Sequence, residues 1–338
     1  MPVQSLTPLL IDCDTGIDDA LALLYAAASE EAQIIGVSCV AGNVGLGDVV
    51  RNTLAVLELA GRADIEVGAG ADRPLARPLR TAADTHGPHG LGHAELPPPR
   101  AAPSDRDGAQ LILDLAVQRP GELTLVTLGP LTNVALALRR DPELPRHLRR
   151  LVMMVGSYRS PGNTAPTLEW NAGVDPEALA ETLAAWSEAA AADPAVARPV
   201  AFGLDVTERA KLAPAHVDQL AALAGGDDRP VVRFVRDALR FYFEFHSRYD
   251  GFYGAFIHDA LALAAALDPA LARTEALRVE VELEGRWTTG ETVTDWRRAW
   301  DLPANVDVAV EVDIEHFFDR FIERVGRLAA RDTRRVAG

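Results

Sequence analysis

Cysteine is nearly absent from the sequence: Cys13 and Cys39 are the only two among 338 residues. Both fall in apolar stretches that read as strands, so they are expected to be buried small residues, neither a disulfide nor a zinc pair. No run of about 18 uncharged apolar residues occurs, which leaves no candidate transmembrane helix. The first residues lack the basic start and apolar run of a signal peptide, and a cytoplasmic protein is expected. Positive charge is in deficit, with 33 Lys and Arg against 49 Asp and Glu and a formal charge of −16. That sign argues against nucleic acid polymers as partners, though not against a neutral small ligand. No internal repeat is visible, and the 48% hydrophobic content is ordinary for a globule with a sizeable core.

What is present is organised around Leu9 to Ala28, LLIDCDTGIDDALALLYAAA. An apolar run enters Asp12, Cys13 and Asp14, a Thr15-Gly16 turn follows, and Asp18 and Asp19 open an apolar-rich stretch. This reads as a buried strand, a tight turn and a helix. Asp12 and Asp14 share one side of the strand. Carboxylates at a helix start cap amides and complement the dipole for about 0.3 to 1 kcal/mol, which accounts for Asp18 or Asp19 alone. Four acids beside an apolar strand would repel one another and protonate unless a cation intervened. Oxygen-only ligands favour calcium or magnesium over zinc.

Strands are expected at 33–40, 65–67, 123–128, 151–155, 199–204, 276–284, 286–295 and 306–312. Helices are expected at 44–60, 107–118, 130–139, from Pro176, and at 214–224, 230–248, 260–267 and 313–328. The alanine-rich 187–199 reads as a longer helix end or surface loop, and the aromatics on 230–248 as core packing. Residues 68–103 form a long loop containing His86, His89 and His93, whose glycines and proline fit a flexible loop better than a zinc site. The alternation implies an open, largely parallel (mixed), Rossmann-like α/β sheet flanked by helices, a single domain over 1–330, and a disordered tail at 331–338. Ligands of such sheets sit at the carboxyl ends of strands, where Asp14, Asn43, Leu128 and Asn163 fall.

The segment DCDTGIDDA resembles the N-terminal signature of the nucleoside hydrolases, calcium-dependent N-ribohydrolases, with Thr15 where proline is usual. Haloacid-dehalogenase-type phosphatases also begin with a strand ending in two aspartates two apart, but carry Thr or Val where Gly16 stands. Four later stretches are similar to the hydrolase pattern: Ala41-Gly-Asn43, Leu125 to Asn133, the loop of Asn163 with Glu169-Trp-Asn171, and His258-Asp259. They stand in the expected order over about residues 9–312.

The resemblance implies calcium held by Asp14, Asp19, Asp259 and the Leu128 carbonyl, with Asp14 taking the proton of the attacking water. It places Asp18, Asn43, Asn163, Glu169 and Asn171 on the ribose, Trp170 and His86 at the base, and His258 as the acid for the leaving base. Asp12 would support Asp14 from behind, and glycine-hinged loops bearing His86 and Tyr253 would close over the base. Such residues suit the reaction, because splitting a glycosidic bond needs a nucleophilic water, a stabilised oxocarbenium-like state and a protonated leaving group. A histidine before the metal aspartate points to pyrimidine or inosine-type ribonucleosides. Homodimers or homotetramers are implied by resemblance.

Overall fold

Both faces of the first strand are dry. In the computed structural model, which describes residues 6–331, Leu9, Ile11 and Cys13 enter one apolar core and Leu10 enters a second on the opposite face. A strand covered on both sides needs the continuous apolar run seen at 9–11. Six strands, β1 (Thr7–Cys13), β2 (Ala32–Cys39), β3 (Val67–Ala69), β4 (Thr124–Thr127), β5 (Arg150–Met154) and β6 (Val200–Phe202), run parallel in the order β3-β2-β1-β4-β5-β6. Val306–Val312 continues the sheet in parallel beside β6, and Ala272–Leu277 closes that edge antiparallel. The fold is the expected open, largely parallel α/β sheet, eight strands wide.

The helices Ile17–Ala28, Pro230–Tyr249, Asp259–Leu267 and Ile314–Ala330 cover one face. Gly108–Gln118, Thr132–Arg140 and Pro176–Ala192 cover the other. The last of these absorbs the first half of the alanine-rich segment and is anchored by the buried Leu179, Leu183 and Trp186. Cys13 and Cys39 are free and buried, as expected.

The C-terminal third departs from its expected strands. After Leu277 the chain leaves the main sheet, and Val279–Val281 pairs antiparallel with Thr292–Thr294 in a separate ribbon. Between them Thr288 and Thr289 donate their N–H groups back to the Gly285 carbonyl, and Gly290 turns with φ +86°, so 286–291 is a turn. Residues 332–338 of the expected tail lie outside the described residues.

β1 lies between β2 and β4, where the strand order reverses. A crevice opens at the carboxyl end of such a strand, and the chain places Asp14 there.

Candidate active site

The helix after β1 begins at Ile17 with Gly16 as its N-cap residue, which has no side chain to cap with. Asp19 does this from inside the first turn. Its carboxylate accepts from Gly16 N–H at 2.8 Å and from Asp14 N–H at 3.2 Å. Helix capping therefore explains Asp19, and Asp18 and Asp259 are each favoured singly in the first turn of a helix, but Asp14 is left without a structural reason. Asp14 Oδ2 accepts from Asn43 N–H at 2.7 Å, while its Oδ1 is buried with no partner among the described residues. The Asn43 side chain in turn donates to Asp19 Oδ2 at 3.1 Å.

Asp18, Asp19 and Asp259 are buried, and each offers an oxygen within 4.8 Å of the others. Burial, then the Asp19 charge, pushes the Asp18 carboxyl up to about 8. The same causes lift Asp14, and burial with the Asp18 and Asp19 charges lifts Asp259, well above the carboxylate range. Such a group is comfortable only when protonated or when a cation joins it. Donors that are all oxygen, with one oxygen left orphaned, fit a hard cation such as calcium. The group of three includes Asp18, which the resemblance places on the ribose, and does not include Asp14. The structure also leaves room at Asp14, since a Cβ on Gly42 would sit 2.1 Å from Asp14 Oδ2 and one on Gly129 would sit 2.9 Å from its Cγ.

A cavity of about 530 Å³ opens here, within the range that holds a small ligand. Asp18, Asn43, His86, Asn163, Glu169, Trp170 and Asn171 all line it, with Leu128, His258 and Asp259. Several are already engaged with backbone. Glu169 accepts from the N–H groups of Gly156, Asn171 and Ala172 at 2.8 to 3.0 Å, capping the short helix Trp170–Val174. Asn171 donates to the carbonyls of Leu128 at 2.7 Å and Met154 at 3.0 Å, and Asn163 Oδ1 accepts from Trp170 N–H at 3.1 Å. The Trp170 indole N–H is buried without a partner among the described residues.

The histidines separate. His86 Nδ1 accepts the Ile17 N–H at 3.1 Å, which pins the long loop to the helix start. His89 and His93 instead approach Asp48 and Glu244, so the three do not gather around a metal. His258 Nδ1 lies 2.8 Å from the Thr207 hydroxyl. Burial, then the neighbouring His246 ring, lowers both His86 and His258 to about 3. Tyr253 does not close over the cavity: it is exposed and its ring packs at 5.4 Å from Phe243. Asp12 points to Asn133 on the Thr132–Arg140 helix and forms no hydrogen bond to Asp14.

Sequence reasoning missed His246, Asp250, Glu208 and Arg80, which also line the cavity. The four-residue spacing of Tyr242 and His246 puts both on one helix face. Which face meets the cavity depends on how the helix docks.

The family described as "Inosine-uridine preferring nucleoside hydrolase" matches residues 9–319. A pyrimidine-specific ribonucleoside hydrolase, RihA, of Enterobacter sp. (strain 638) is 37% identical over 326 residues, covering 96% of this chain and 99% of the relative. An inosine-uridine preferring nucleoside hydrolase of Leishmania major is 33% identical over 323 residues, 95% and 98% of the two chains. A purine-preferring ribonucleoside hydrolase from Gardnerella vaginalis superposes with a TM-score of 0.87 at 31% identity, over 96% and 99%.

Proposed function

The chain belongs to the inosine-uridine preferring nucleoside hydrolase family and hydrolyses ribonucleoside N-glycosidic bonds, and on that premise we propose that it is calcium-dependent, with Asp14 activating the water and pyrimidine or inosine-type ribonucleosides as substrates. The family assignment leaves the phosphatase resemblance without weight. What carries the mechanistic reading is the orphaned Asp14 Oδ1 beside three converging carboxylates at the end of β1.

Asp14, Asp19, Asp259 and the Leu128 carbonyl would hold calcium, with Asp18 in the same cluster. When bound, the ion keeps these acids ionised, acidifies the water and orients the sugar diol. Asp14 Oδ1 has no other hydrogen bond to surrender and so is free to take the proton of the attacking water. Asp18 and Asn43 grip the ribose hydroxyls, and Asn163, Glu169 and Asn171 form the wall that holds the far end of the sugar. Buried negative charge around C1′ favours the oxocarbenium-like state over the neutral substrate.

At the other end, Trp170 offers a face on which a base stacks. His86, with Nδ1 occupied, presents Nε2–H toward the base, and His258 lines the same cavity. Of the loop closure read from the sequence, the pinned His86 segment is retained and Tyr253 is not. A homodimer or homotetramer is the assembly that the family resemblance implies.

The test is ribose release from uridine, cytidine, inosine, adenosine and 2′-deoxyuridine, with Asp14→Asn and chelator-treated protein as controls. Release from ribosides, much weaker release from the deoxyriboside, and loss in both controls are expected. Full activity in chelator would remove calcium from the proposal, and full activity of Asp14→Asn would remove the assigned base.

A further inference from the structure

His246 is a buried imidazole with one nitrogen committed and one vacant. Its Nδ1 lies 2.7 Å from Oδ2 of Asp250, the C-cap residue of the same helix, and its side chain is 5% exposed. Its Nε2 is buried, has no partner among the described residues, and belongs to the wall of the nucleoside cavity. Phe245, Phe252 and Phe256 surround the ring with centroids at 4.9 to 5.5 Å, and the Tyr242 ring lies at 4.7 Å.

Three histidines line the cavity, and they differ in what they can hold. His86 must be neutral to accept the Ile17 N–H. His258 faces a hydroxyl, which offers no counter-charge. His246 alone of the three has a carboxylate at hydrogen-bond distance. An uncharged imidazole is too weak an acid to protonate a departing base, so the useful proton resides where an imidazolium has a partner. We propose that His246, held by Asp250, is the proton donor to the leaving nucleobase, with Asp250 its positioning residue. This rests on the nucleosidase reading of the site and names the proton's source within it.

In the step, the C1′–N bond breaks and its electron pair stays on the base. The proton on His246 Nε2 moves to the base, leaving a neutral imidazole. Water adds its oxygen to C1′ and gives its proton to Asp14, and solvent exchange returns the proton from Asp14 to His246. No oxidant or second substrate is needed.

Other charges bear on His246. Burial lowers its affinity for a proton, and Asp250 opposes that. His86 and His258 face it from the long loop and from the start of the Asp259–Leu267 helix. Asp18 and Asp259 act on the adjacent Tyr242. Glu208, pushed up to about 7 by burial and by Asp250, and Lys211, which stacks on Phe252 and Phe256, complete the surroundings.

The experiment compares uridine with 4-nitrophenyl β-D-riboside, whose leaving group departs without a proton, in calcium-loaded wild type, His246→Gln, His258→Asn and Asp250→Asn. For His246→Gln, kcat on uridine is expected to fall roughly 10²- to 10³-fold while the nitrophenyl riboside stays within a few-fold. For Asp250→Asn, a half-exposed position, KM stays near wild type. Its alkaline limb of kcat moves to lower pH by roughly one unit, because removing the carboxylate lowers the pH at which His246 loses its proton. Equal slowing of both substrates in His246→Gln, or no slowing, overturns the proposal, as does the full leaving-group effect appearing in His258→Asn alone. A wild-type protein that is folded, calcium-loaded and inert toward both ribosides sinks the underlying nucleosidase reading instead.

Discussion

Asn133 reaches across the sheet to Asp12, its side-chain amide donating to Asp12 Oδ1 at 2.8 Å. The same amide nitrogen lies 2.9 Å from Ser38 Oγ and from the Cys39 carbonyl, and its oxygen accepts from Ala71 N–H at 2.8 Å. One side chain thus ties β1, β2 and the loop after β3 just below the carboxylates. Replacing Asn133 by Leu strands buried polar groups, each worth about 1–3 kcal/mol. Urea unfolding of calcium-loaded protein should show at least that loss, with weaker calcium affinity by titration. Unchanged stability would mean that water replaces the amide without penalty.

Stability should also depend on pH in a sense opposite to that of a salt-bridged protein. Burial, with the Asp19 charge, pushes Asp18 up to about 8, and burial, opposed by hydrogen bonds from Asn133 and Ser38, pushes Asp12 up to about 7. Each acid therefore holds its proton more tightly folded than unfolded, where its pKa is about 4. The calcium-free fold loses stability as pH climbs from about 4 through 7 to 8. In chelator, Tm at about pH 8.5 is expected several degrees below that at about pH 5.5, and calcium should raise Tm more at the higher pH. Differential scanning calorimetry at the two pH values checks both signs.

Gly42→Ala tests how closely Asp14 is packed. The added Cβ would fall 2.1 Å from Asp14 Oδ2, so the carboxylate or the loop has to move. A displacement near 1 Å costs on the order of 10²-fold in turnover, and overpacking costs about 1–3 kcal/mol. A variant with wild-type kcat on uridine would show that the Asp14 position is not critical.

Glu31 provides the opposite case. It is buried outside the cavity lining, between Arg320 at 2.9 Å and Arg324 at 2.7 Å. Glu31→Ala leaves Arg324, a part-buried cation, without its carboxylate, while Arg320 keeps Asp268, a loss of about 2 kcal/mol. Chemical denaturation should register it, while kcat and KM on uridine at 25 °C stay unchanged.

The first strand, turn and helix were legible because a doubly covered strand must be apolar throughout and a helix start must be capped. Pro214 and Pro230 marked helix starts correctly, since proline at the first turn loses no hydrogen bond. The ribbon of Val279–Val281 and Thr292–Thr294 was mistaken for long strands, because local β-preference does not reveal which sheet a strand joins. The seven substrate-side residues read from motifs all line one cavity. Asn133 and His246 were not found, for a related reason. Each sits on a helix whose periodicity marks it as packed, and only the docking of that helix shows that its polar atom meets a carboxylate or a cavity.

Asp19 caps the first helix and also belongs to the carboxylate cluster, whereas the Asp259 carboxylate accepts no hydrogen bond among the described residues. The two positions therefore differ in evolutionary exposure. Drift at residue 19 damages folding as well as turnover, so selection for a stable protein alone preserves that acid. Residue 259 carries no such second duty, so in a descendant that keeps this scaffold but abandons the reaction, folding alone would not preserve its aspartate.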